Sequence, residues 1–189
     1  MRLIVGLGNI GAEYTYNRHN AGFIAADQLI RRYGIGSEQK KFQGLVTSAN
    51  IEGEQVLILK PTTFMNASGQ AVAQAARFYK IPPEDVFVLH DDMDLPFGTI
   101  RIKQGGGSAG HNGLKSIDSL FGNNYWRIRF GISHPEEGHA VVDYVLSNFT
   151  KKQLQDLDKM TDYIAEHFAE IIKQPQNAHT LLKGENYGI

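Results

Sequence analysis

The sequence predicts an α/β protein, a single-domain three-layer sandwich around a central mixed, mostly parallel sheet. Three observations predict it. Short apolar runs such as Leu3-Ile4-Val5 and Val86-Phe87-Val88-Leu89 read as strands buried on both faces. Segments with apolar residues at helical spacing are mixed with them. No internal repeat or low-complexity stretch divides the 189 residues, a length that fits one domain able to bury a core without disulfides or metals.

Each element follows from a local pattern. The strand at Leu3 ends in glycines. Ala21 to Tyr33 carries a helical stripe that Gly34 stops. Leu45 to Asn50 and Gln55 to Leu59 flank Glu52-Gly53, which predicts a hairpin. Ser68 is placed to cap a helix running to Tyr79, before Pro82 and Pro83. The strand at Val86 runs into His90-Asp91-Asp92, and Thr99 to Lys103 alternates like a strand. After Gly105-Gly106-Gly107 come a short helix from Leu114 to Leu120 and a strand from Trp126 to Ile132. An amphipathic helix over about 151–173 closes the pattern.

Composition excludes several classes. There is no cysteine, so no disulfide framework, thiolate metal site or cysteine nucleophile exists, and a reducing compartment is expected. The formal net charge is -1, so any nucleic-acid role must rest on a local patch. Leu3 to Val5 is too short for a signal h-region, and no apolar stretch reaches the ~20 residues of a membrane span. A cytoplasmic protein is expected.

Gly6-Leu7-Gly8-Asn9-Ile10-Gly11 matches G-x-G-x-x-G directly after a strand. A dinucleotide-binding turn starts its helix inside the glycines, whereas here Glu13 to Arg18 intervene. The acidic residue that should end the next strand is missing, since Asp27 lies mid-helix. The motif reads instead as a tight turn that frees space for Asn9 to face a ligand.

Polar residues collect where strands and helices meet loops, the usual place for chemistry in an α/β sheet. These are Asn9, Arg18-His19-Asn20, Met65-Asn66, His90-Asp91-Asp92 and His111-Asn112. A lone helix-start histidine is more often a cap than a base. Asp91, ending a buried strand, changes that: it can accept from one imidazole nitrogen and leave the other free to take a proton. No G-x-S-x-G elbow is present, which favours attack by water or a substrate hydroxyl. Asn9, Asn66 and Asn112 each fit a turn or cap singly; jointly they suit recognition of amides and an oxyanion. His19, His90, Asp91, Asp92 and His111 include metal-ligand types, but no paired histidine spacing on a helix supports a metal, and none is expected. From Thr99 to Phe130, Arg101, Lys103, Lys115, Arg127 and Arg129 face Asp118 alone, and the pairs two apart on strands suggest a phosphate clamp.

The stretches VGLGN at 5–9, EYTYNRHNAG at 13–22, KPTTFMNASG at 60–69, HDDMDLPFG at 90–98, GGGSAGHNGLKSI at 105–117 and RIRFGISHP at 127–135 together resemble the bacterial peptidyl-tRNA hydrolase family. One departure is Ile10, where that family usually has proline. The resemblance implies hydrolysis of the ester between a peptide and the 3′-terminal ribose of tRNA, which recycles tRNA from prematurely released peptidyl-tRNA. It implies His19 as general base and Asp91 as its orienting carboxylate. It also implies Asn9, Tyr14, Met65, Asn66 and Asn112 as substrate-binding residues, and Lys103 and Arg129 as a grip on the tRNA 5′-phosphate. Residues 1–189 would form one domain with a lid at about 133–148. The partner is peptidyl-tRNA; no cofactor, metal or membrane is implied, and a monomer is expected. Two other readings stand beside it. One is a non-catalytic RNA- or ribosome-binding module, which leaves His19 and Asp91 idle. The other is a metal-dependent, peptidase-like hydrolase, which chelators would inhibit.

Overall fold

The computed structural model describes residues 1–189. Its strands are β1 (Arg2–Gly6), β2 (Gly34–Lys41), β3 (Gly44–Ile51), β4 (Glu54–Pro61), β5 (Val86–Asp92), β6 (Ile100–Gln104) and β7 (Trp126–Gly131). Its helices are α1 (Ala21–Tyr33), α2 (Ser68–Phe78), α3 (Asn112–Phe121), α4 (Val141–Val145), α5 (Lys151–Glu166) and α6 (Phe168–Lys173). The strands form one sheet in the order β2-β3-β4-β1-β5-β7-β6. The central four, β4-β1-β5-β7, are parallel, and the outer strands join antiparallel.

The apolar runs become the middle of the sheet because both its faces are covered. Ile4, Phe87 and Leu89 point to a core shared with α1, α5 and α6. Leu3, Val5 and Val88 point the other way, to a core shared with α2 and α3. The period of two along each strand thus divides one run between two cores, which makes the three layers. Each fully buried Leu, Ile or Phe contributes about 1.5–3 kcal/mol.

The first glycine motif serves packing. A Cβ on Gly22 would lie 2.2 Å from the Leu89 carbonyl oxygen and 2.6 Å from that of Leu7. A Cβ on Gly6 would lie 2.6 Å from the Gly22 carbonyl oxygen. Glycine at these positions lets α1 start against the ends of β1 and β5. The chain leaves β1 towards β2, β3 and β4 on one side and leaves β5 towards β7 and β6 on the other. A crevice opens where the two directions part, at the carboxyl ends of β1 and β5.

Three local expectations change. β2 has no apolar alternation and is exposed along its whole length; it is an edge strand held by pairing with β3, so no burial pattern betrays it. Ser68 is not the cap of α2. It is the first helical residue, Ala67 holds the cap position, and the Ser68 hydroxyl donates to the Met65 carbonyl at 2.7 Å. The closing helix is two helices, α5 and α6, with the break at His167; Phe168, Ile171 and Ile172 of α6 join the core that Leu157, Met160 and Ile164 of α5 line. The hairpin at Glu52-Gly53 has positive φ at both residues, 49° and 90°, as a tight two-residue turn requires.

Candidate active site

Asn9 follows β1 and Asp91 lies in the last turns of β5, so both reach the crevice between these strands. His19 lies in a 3-10 turn, Arg18–Asn20, that leads into α1. The glycine-enforced approach of α1 to β5 brings the imidazole onto the carboxylate. His19 Nδ1 lies 2.9 Å from Asp91 Oδ2 and 3.0 Å from Oδ1.

Protonation follows from the partners. Burial raises the Asp91 carboxyl, but the charges of His19 and His111 and their hydrogen bonds outweigh it, and the group is held far below the ordinary carboxylate range. It is therefore ionised and only accepts. His19 Nδ1 must then carry the proton, which leaves Nε2 as the basic atom. Nε2 has no hydrogen-bond partner in the protein and reaches solvent. Burial lowers the His19 imidazole, but the charge of Asp91 and its hydrogen bond prevail, and the net shift is upwards from 6.5. Asp91 thus orients a histidine and makes it more basic.

A second histidine joins this carboxylate. His111 caps α3: its Nδ1 accepts from the backbone N–H of Gly113 at 3.1 Å and of Leu114 at 3.3 Å. An accepting Nδ1 places the proton on Nε2, which donates to Asp91 Oδ1 at 2.9 Å. His19, Asp91 and His111 have the residue types of a metal site, with ligand atoms within 4.8 Å of one another. Yet a metal would take the atoms that carry the two protons. His111 would then have to protonate the nitrogen that caps α3. The residues therefore fit a hydrogen-bonded triad and not a metal. His111 stands in the sequence as one polar residue after a glycine loop; its spacing to Asp91 carries no signal, because the contact is made by the fold. His90 points away: its Nδ1 bonds the Asp91 carbonyl oxygen at 2.8 Å. Burial first, then the neighbouring His111, pushes His90 far below the usual imidazole value, so it is neutral and uncharged.

The loops around the triad are braced. The Asn20 carboxamide accepts from Asn9 N–H at 2.8 Å and donates to Asn9 C=O at 3.0 Å, which fixes the Asn9 backbone. Arg18 Nη1 donates to Ser147 Oγ and to the Asn148 carbonyl, both at 2.7 Å, and its guanidinium stacks 4.7 Å from the Tyr144 ring. This ties the turn carrying His19 to the segment after α4. Asn9 and Tyr14 share a cavity of about 590 Å3 with Phe64. Asn66, in a 3-10 turn, and Asn112, at the start of α3, are exposed. Met65 is buried beneath α3, where a Cβ on Gly113 would come 2.7 Å from its sulfur. Its neighbour Phe64, which sequence reasoning passed over, is 86% exposed.

The basic strip divides. Lys103 and Arg129 are diagonal neighbours on one face of the β6–β7 pair, close enough to reach one ligand. Asp92 Oδ2 accepts from Arg129 Nε at 2.8 Å, which orients the guanidinium through Nε and leaves its Nη groups to other partners. The Lys103 side chain lies across the glycine loop, its Nζ 2.5 Å from where a Cβ on Gly106 would stand. Arg127 does not join the clamp. It is 1% exposed and donates to the Gly107 carbonyl at 2.7 Å, the Gly106 carbonyl at 3.0 Å and Asp118 at 3.1 Å. It holds the glycine loop from inside, because carbonyls that the sheet leaves unpaired need a donor.

Residues 3–186 match the family model described as peptidyl-tRNA hydrolase. The peptidyl-tRNA hydrolase of Rhodospirillum centenum is 56% identical over 162 residues, covering 86% of this chain and 71% of that protein. That of Azorhizobium caulinodans is 47% identical over 192 residues, covering 99% and 94%. The crystal structure of peptidyl-tRNA hydrolase from Acinetobacter baumannii superposes with a TM-score of 0.87 at 40% identity, covering 98% of this chain and 94% of that one. With the fold and nearly the whole sequence matched, the chain belongs to the peptidyl-tRNA hydrolase family.

Proposed function

We propose that the protein hydrolyses the ester between a peptide and the 3′-terminal ribose of tRNA, with His19 as general base. The observation that carries this reading is the Asp91 carboxylate, ionised and bonded to His19 Nδ1, which leaves Nε2 accessible and basic. Nε2 takes a proton from water as the water oxygen bonds to the ester carbonyl carbon. The carbon–oxygen bond to the ribose then breaks, and His19 returns the proton to the leaving ribose oxygen. Such a positioned base contributes about 10²–10⁴-fold. Carboxamides of Asn9, Asn66 and Asn112 suit the developing oxyanion and the peptide backbone, because an amide offers donors and an acceptor without charge. Tyr14 shares a cavity with Asn9, and Met65 lies buried beneath α3.

Lys103 and the Asp92-oriented Arg129 suit one phosphate at the tRNA end, which fits a chain of near-zero net charge. Residues 133–148 serve as the lid, anchored at its far end by Arg18. We place the enzyme in the cytoplasm, where tRNA is used, and expect a monomer working without cofactor.

The test is release of peptide from a peptidyl-tRNA, compared with release of amino acid from an aminoacyl-tRNA, with a chelator present. Rapid release from the first substrate alone is expected, and His19→Ala should lose it by about 10²–10⁴-fold while still binding tRNA. Near-wild-type kcat in that variant, or inhibition by the chelator, would overturn the reading.

A further inference from the structure

A trench leaves the catalytic crevice and ends on two lysines, and we infer that it takes the distal part of the substrate's peptide and favours acidic side chains there. The inference rests on the peptidyl-tRNA reading and concerns the same site.

The cavity beside Asn9 and Tyr14 has a volume of about 590 Å3. A second, of about 430 Å3, shares Ile10, Gln43 and Thr62 with it and extends to Lys40 and Lys41. The two therefore adjoin at Ile10, which is 52% exposed. Neither wall contains an aspartate or a glutamate. The nearest acidic residue along β2, Glu38, already faces Lys60 at 3.5 Å. A third cavity, of about 520 Å3, also borders Ile10, but Asp27 and Asp158 stand in its wall beside Arg31 and Lys60, so its charges balance. Only the branch towards Lys40 and Lys41 ends on uncompensated positive charge.

The bend of this trench is built at a conformational cost. Phe42 and Gln43 form the two-residue turn between β2 and β3, both with φ of 55°. A tight two-residue hairpin turn requires positive φ at both positions, and two bulky residues persist there only where their surroundings hold them. Here the Gln43 carbonyl accepts from Thr62 N–H at 3.0 Å and from the Thr62 hydroxyl at 3.2 Å. The Phe42 ring packs 5.4 Å from that of Phe78. Lys41 Nζ stands 4.8 Å from the centre of the Phe78 ring and 5.0 Å from that of Phe42. These contacts fix Gln43 between the two cavities and hold one ammonium over aromatic faces.

A peptide joined to tRNA at its C-terminus would lie against Asn9 and run outwards at about 3.3 Å per residue. Near the ester only backbone is read, so any sequence fits. Farther out, a groove lined by one sign of charge attracts the opposite sign. Both lysines are exposed, so the preference is modest.

The experiment is internal competition between two peptidyl-tRNAs that share one tRNA and one peptide length and differ by Asp or Asn at a single position. That position is moved stepwise away from the ester. We expect no preference next to the ester and a kcat/KM ratio of about two- to fivefold for Asp farther out. The ratio should fall to one in K40Q/K41Q and at ~0.5 M salt, and survive in K40R/K41R. Because both substrates meet the same enzyme, partial unfolding of a variant leaves the ratio readable. A ratio of one at every position in the unaltered protein, or a ratio that survives K40Q/K41Q, overturns the trench assignment. Failure of the unaltered protein to cleave either substrate overturns the hydrolase reading, and this one with it.

Discussion

His111 donates from Nε2 to Asp91 Oδ1 at 2.9 Å, opposite the hydrogen bond that His19 makes to the same carboxylate. One carboxylate thus divides its negative charge between two imidazoles. Only one of these has a free basic nitrogen, because the other caps α3 through Nδ1. The division sets how strongly Asp91 raises His19, and it gives two substitutions with opposite signs.

Asp91→Asn removes the charge that outweighs burial at His19. The base must be neutral to work, so kcat/KM rises with pH through the His19 pKa. That rise should move to lower pH in the variant, while the plateau falls by about 10²–10⁴-fold. His111→Phe does the reverse. Without the second donor, Asp91 pulls harder on His19, and the rise moves to higher pH. A pH–rate profile of each variant checks both directions; a shift of the same sign in both would refute the shared-carboxylate account.

The same shift bears on stability. Folding raises the His19 pKa above 6.5, so the folded state binds its proton more tightly than the unfolded one. The stabilisation is complete below the unfolded value and is lost as pH rises through the raised folded value. Thermal unfolding of the unaltered protein and of His19→Ala should therefore differ most at low pH and converge above neutrality, measured as Tm across a pH series.

Lys103→Ala and Arg129→Ala should weaken binding of 5′-phosphorylated tRNA and each reduce the slope of log affinity against log salt by about one. Asp92→Asn should weaken the Arg129 contribution without removing a positive charge, because it frees the guanidinium from its 2.8 Å bond. Titrations at two ionic strengths separate these cases. An unchanged slope in Arg129→Ala counts against the clamp.

Arg127→Ala should behave differently from Arg129→Ala although the residues are two apart. Arg127 is buried against two carbonyls and Asp118, so its loss leaves buried partners unpaired. A cost of about 3–5 kcal/mol is expected. Denaturant unfolding at equilibrium would show it as a lower midpoint.

Arg18→Ala should loosen the segment after α4. Its two 2.7 Å bonds to Ser147 and Asn148 and its stacking on Tyr144 hold that segment to the turn bearing His19. Faster amide exchange over residues 141–149, with kcat falling more than Tm, is the expected outcome. Lysine would not restore it, since a single ammonium cannot serve the same forked contacts.

By itself the sequence determined the buried strands, because continuous apolar runs have no other place than the middle of a covered sheet. It also put His19 and Asp91 forward as a pair, since a carboxylate ending such a strand can accept from an imidazole, while the fold alone set their 2.9 Å contact. Charge alternation revealed a basic strip but not its division: Arg127 and Arg129 occupy equivalent positions in the pattern, and only the glycine loop folded above one of them decides which is internal. β2 was invisible for the complementary reason, being held by backbone pairing to β3 and not by buried side chains. The place of His111 on Asp91, the brace of Asn20 on Asn9 and the meeting of cavities at Ile10 were decided by tertiary structure alone. Each joins residues of different elements, and such contacts depend on how turns and helices seat against the sheet, which no local spacing encodes.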